Sequence, residues 1–76
     1  PADLKKLEKE IGQIEESISQ KEEEVAKLEL EMTKEEIFSD ENKLKQVNRR
    51  YTESKSRLEE LHELWEMKVT ELDEAR

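Results

Sequence analysis

Apolar residues recur along this chain at alternating spacings of three and four. Leu4, Leu7, Ile11, Ile14, Ile18, Val25, Leu28 and Met32 keep that rhythm in the first half, with Lys21 standing where another apolar residue is due. Leu44, Val47, Tyr51, Leu58, Leu61, Trp65 and Leu72 keep it in the second, interrupted by Ser54 and Lys68. Such alternation lays one apolar stripe along a helix, the a/d seam of a coiled coil. The two runs do not share a phase. Continuing the first frame past Met32 brings Ser39 and Gln46 into the seam in place of Leu44. One unbroken helix would point the two stripes in different directions, so the chain must bend between them.

Local signals agree on where. Thr33 with Glu36 has the form of a capping box, and Ser39-Asp40 offers an N-cap just before Glu41. The expectation is a single all-α domain, with helices over about 3–33 and 41–75 and a short bend over about 34–40. A short bend folds neighbouring helices back on each other, giving a two-helix antiparallel coiled-coil hairpin roughly 45–50 Å long. Flanking charges favour that pairing. Glu8, Glu15, Glu22 and Glu29 line one side of the first seam, and Asp3, Glu10, Ser17, Glu24 and Glu31 the other. Lys43, Arg50 and Arg57 flank the second seam, with Lys55 on its opposite side, so acid is expected to meet base near the bend. Two registers remain open. One sets Val25 against Val47 and Lys21 against Tyr51. A slip of one heptad sets Leu28 against Tyr51 and Ile14 against Trp65.

Composition excludes more than it selects. Charged residues make up 47% of the 76 and hydrophobic ones 32%, too few for a layered globular core, while a single glycine and a single proline leave long helices almost uninterrupted. With no cysteine there is neither a disulfide nor a thiolate metal site. No apolar run is long enough for a membrane span or a signal peptide, so the expected setting is intracellular. The net charge of −8 argues against wholesale wrapping of nucleic acid, leaving only a local patch for that purpose.

Three stretches carry a resemblance. They are Pro1-Ala2-Asp3-Leu4-Lys5-Lys6-Leu7-Glu8-Lys9-Glu10-Ile11, then Ile37-Phe38-Ser39-Asp40-Glu41-Asn42-Lys43-Leu44, and Leu58-Glu59-Glu60-Leu61-His62-Glu63-Leu64-Trp65-Glu66. Together they resemble the C-terminal coiled-coil domain of the ABC-F ATPases, the Uup-type proteins of bacteria. Relatives often carry proline near positions 35 and 41, where this chain has Glu35 and Glu41, and tyrosine where it has His62. The first departure favours a more helical bend. The second removes a phenol that stacking would need. The resemblance implies a cytoplasmic parent with two ATPase cassettes that bind ATP and magnesium and acts on ribosomes. It also implies DNA binding by the terminal coiled coil in some members.

Nothing in the chain itself points to catalysis or to a cofactor. A two-helix rod has no concave site to perturb a carboxylate pair, and no Gly-x-x-x-x-Gly-Lys-Ser/Thr loop exists. His62 has no second histidine at ligand spacing, which leaves it at the seam edge without a metal. Trp65 and Tyr51 fall on seam positions and are expected in the core, while Lys21 and Lys68 reach outward over buried stems. The informative feature is basic. Lys43, Lys45, Arg49, Arg50, Lys55 and Arg57 face only Glu53 within residues 43–57, so a stretch of net +5 sits in a chain of −8. Pairing with the first helix accounts for most of it. Lys45 and Arg49 lie on the outer face and are not so explained. With Lys43, Arg50, Lys27 and Lys34 they are candidate contacts to phosphates of ribosomal RNA or DNA. The expected function is a monomeric interaction arm beside the ATPase cassettes of its parent. The alternative is a structural or protein-interaction coiled coil, self-association included.

Overall fold

A computed structural model describes residues 2–76, so Pro1, the first residue of the opening motif, lies outside the described residues. Two long helices dominate: α1, Ala2–Met32, and α3, Glu41–Ala75, separated by the one-turn helix α2, Glu35–Phe38. Leucine, glutamate and lysine lose little rotamer freedom in a helix and supply more than half of α1 and nearly half of α3. Gly12, the one weak position inside α1, is exposed and helical, and a Cβ added there would touch nothing within 4 Å.

The bend closes in short steps. The amides of Thr33 and Lys34 donate to Leu30 O and Glu31 O at 3.1 Å, tightening the end of α1, and the Thr33 hydroxyl donates to Leu30 O at 2.6 Å. That hydroxyl therefore faces backward, and the capping box expected of Thr33 and Glu36 does not form. Lys34 stands at the N-cap of α2 with no side-chain bond. The Ser39 hydroxyl donates back to Glu35 O, finishing α2. Asp40 then opens α3, its carboxylate accepting from the amides of Asn42 and Lys43 at 3.0 and 3.1 Å. An acidic cap of this kind typically contributes about 1 kcal/mol and suits the positive end of the helix dipole.

α1 and α3 lie side by side, in Cα extents of 56 × 14 × 13 Å. The length matches 35 residues at about 1.5 Å each, and the section is that of two helices about 9 Å apart. Every seam position expected from the sequence is buried or half-buried, Leu61 and Ser54 most deeply at 4% exposure each. Bonds between the helices run in opposed order. Tyr51 meets Glu29, Ser54 meets Glu24, Trp65 meets Glu15 and Lys68 meets Glu10, so partners descend α1 as they climb α3. This is the alignment that sets Leu28 opposite Tyr51 and Ile14 opposite Trp65.

Candidate functional site

The glutamates flanking the α1 seam do not do what charge pairing alone suggests. Among the described residues, no ion pair within 4.0 Å joins them to Lys43, Arg50, Lys55 or Arg57. Arg57 turns to Glu60 of its own helix at 3.0 Å, and the Lys55 ammonium stands 5.4 Å from the Tyr51 ring centroid. A glutamate beside the seam is long enough to reach the polar tips of seam residues opposite, and these take its lone pairs first. The Tyr51 hydroxyl donates to Glu29 at 3.2 Å, the Ser54 hydroxyl to Glu24 at 3.0 Å and the Trp65 indole N–H to Glu15 at 3.2 Å. The Lys68 ammonium reaches Glu10 at 3.0 Å and Glu71 at 4.0 Å.

Two of these glutamates titrate low. The hydrogen bond from Lys68 holds the Glu10 carboxyl below its ordinary range, and the same pairing raises Lys68. Bonds from Lys21, and then from Ser54, lower Glu24, with a smaller contribution from the nearby charge of Arg50. Arg50 thus acts on α1 through its field without closing an ion pair.

The basic residues separate into groups. Lys45, Arg49 and Arg50 line one shallow groove on the outer face of α3, with Asn42, Gln46 and Glu53. Lys45 also reaches Glu41, one turn back, at 3.4 Å, both side chains being largely exposed. Arg49 and Arg50 have no ion-pair partner within 4.0 Å among the described residues. Lys34 lies apart, beside Glu35, Glu36 and Ser39 at the bend. Lys27 and Lys43 are exposed and line neither groove. His62 and Trp65 border a small hollow with Glu15 and Ile18, the histidine at the seam edge. Among the described residues, no group of three or more histidines, cysteines or carboxylates is placed to hold a metal. No described helix is long and apolar enough to cross a membrane.

Residues 4–67, most of this two-helix unit, match the family model described as the ABC transporter C-terminal domain. The chain belongs to that family. The matched span runs from the first turns of α1 through the bend and past Trp65, so it takes in the seam as far as Trp65, the Asp40 cap and the basic groove of this ABC transporter C-terminal domain. No curated protein and no solved structure matches the chain significantly.

The domain also exposes apolar side chains that heptad reasoning passes over. Leu30 is 65% exposed, Met67 59% and Phe38 53%. Each lies off the seam, and only the helical phase of its element could have marked it as outward.

Proposed function

We propose that this domain is a protruding, monomeric interaction arm at the end of an ABC-F ATPase in the cytoplasm. In this reading it is an antiparallel coiled-coil hairpin that contacts phosphates of ribosomal RNA or DNA through the outer face of α3 near the bend. The observation that carries the reading is the groove in which Lys45, Arg49 and Arg50 converge, two of them unspent on ion pairs among the described residues. The opposed order of the four cross-helix bonds supports the hairpin geometry. Guanidinium groups match phosphate oxygens in pairs, so the contact positions a backbone and reads no base. The acidic remainder of the rod repels phosphate and confines the contact to this one face, leaving the base free to face the ATPase cassettes. ATP and magnesium belong to those cassettes, and the arm itself holds no cofactor.

A second reading, a structural or protein-interaction coiled coil, draws on the exposed Leu30, Phe38 and Met67. Titration with ribosomes and with single- and double-stranded DNA decides between them. The first reading expects saturable binding that weakens with salt and is lost in the Lys45→Glu/Arg49→Glu/Arg50→Glu variant. Undiminished binding by that variant removes the groove from the account. Absence of binding even at low salt, with a sedimentation mass of two chains, favours the second.

A further inference from the structure

The seam does not by itself choose how far along each other the helices lie. In the observed alignment Leu28 lies opposite Tyr51, Ile14 opposite Trp65 and Ile18 opposite Leu61. Sliding one helix by a heptad, about 10 Å, sets Val25 against Val47, Leu28 against Leu44 and Ile11 against Leu61, apolar pairs again, although Leu72 loses its place opposite α1. The stripe alone discriminates weakly between the two arrangements.

The four bonded glutamates discriminate where the apolar residues do not. At present Glu29, Glu24, Glu15 and Glu10 accept from Tyr51, Ser54, Trp65 and Lys68, every one a donor. A heptad slip toward the alternative seam puts Leu44, Val47, Leu58 and Leu61 in those places. A slip the other way puts Leu58, Leu61, Leu72 and Ala75 there. All of these residues are apolar, so either slip takes the cross-helix donor from all four carboxylates and leaves Glu24 only the ammonium of Lys21 on its own helix. The two seam positions that interrupt the apolar rhythm of α3, Ser54 and Lys68, are among the four that supply donors.

We propose that Glu10, Glu15, Glu24 and Glu29 form a register latch, selecting one of two heptad-compatible alignments and permitting a slide of about 10 Å when their contacts are lost. The inference rests on the antiparallel pairing proposed above. The slide would also take Met32 toward Asp40, displacing α2, which packs chiefly on α3. Bend and base are thereby coupled. The latch is a polar device of the kind that fixes coiled-coil register at the cost of some stability.

A chain without cysteine allows a clean test. Leu61→Cys is combined with Ile18→Cys to report the present alignment, or with Ile11→Cys to report the slipped one, because a disulfide requires Cα atoms within about 7 Å. In the parent sequence the 18/61 pair should oxidise readily and the 11/61 pair should not. With Glu10, Glu15, Glu24 and Glu29 all changed to alanine, the ratio of 11/61 to 18/61 cross-linking should rise at least several-fold. The same four positions changed to glutamine keep an acceptor oxygen and should keep the parent pattern. A ratio unmoved by the alanine set, in a chain still helical by circular dichroism, overturns the latch. So does a glutamine set that slips as far as the alanine set. If neither pair forms in the parent, the antiparallel reading itself fails, a result distinct from failure of the latch.

Discussion

Lys68 illustrates what single residues do in this domain. A lysine in an apolar seam is tolerated when its stem packs and its ammonium finds a carboxylate, and here Glu10 lies 3.0 Å away. Because the pairing lowers Glu10, its stabilising contribution is complete above the ordinary glutamate value of about 4.3 and fades as pH falls through the depressed folded value. Lys68 is raised, so its share is complete below about 10.4 and fades as pH rises through its higher folded value. Glu10→Gln should therefore lower the melting temperature at pH 7, and the difference from the parent should shrink as pH falls below the ordinary glutamate range and through the lower folded value. A difference that persists in acid would contradict the pairing. Gly12 offers a simpler case. It is helical, exposed and free of any neighbour a methyl group would meet, so Gly12→Ala should stabilise the fold by about 0.5–1 kcal/mol in urea melts. At this scale the heptad pattern was highly legible: every expected seam residue is buried or half-buried, the polar Ser54 included. The destination of the glutamates was not. Charge signs invite pairing with arginines, whereas side-chain reach and the seam donors opposite decide where a carboxylate goes.

Between the long helices, the bend converts a phase change into a turn. Lys34 and Asp40 both have extended backbones, at φ −78°, ψ 132° and φ −111°, ψ 108°, each immediately before the first residue of a helix. An extended residue followed by a first helical position is what proline requires of its predecessor and of itself. Glu35 and Glu41 therefore occupy sites whose backbone is already shaped for proline. Neither residue's amide is among the bonds that close the bend. Glu35→Pro and Glu41→Pro should each raise stability by about 0.4–1 kcal/mol by restricting the unfolded chain, measured as a shift in denaturation midpoint. Loss of stability in either variant would mean that an amide or a torsion there is needed. Asp40 was readable as a cap because an acidic residue directly preceded a periodic run. Thr33 was misread because a threonine between two helices can bond forward or backward, and only the tightened last turn of α1 sends it to Leu30.

Taken whole, the molecule is an acidic rod with one basic groove. Its charge of −8 and its Cα length of 56 Å leave long-range repulsion for any polyanion except along the face of α3 near the bend. The sequence marked the basic stretch by count, and heptad phase set Lys45 and Arg49 on its outer face. It did not show that Arg50 shares their groove while Lys34 sits among glutamates, because that sorting depends on side-chain reach and on the path of the bend. Nor does the stretch say which of its charges are already engaged, as Lys45 is with Glu41. The most direct measurement is the salt dependence of single-stranded nucleic-acid binding by the parent domain and by Arg49→Glu. Three phosphate contacts give a slope of about −2 in log affinity against log salt, and loss of one contact should flatten it by roughly 0.7–1 while weakening binding to all sequences alike. A slope near zero, or one that Arg49→Glu leaves unchanged, would contradict a phosphate-contacting arm.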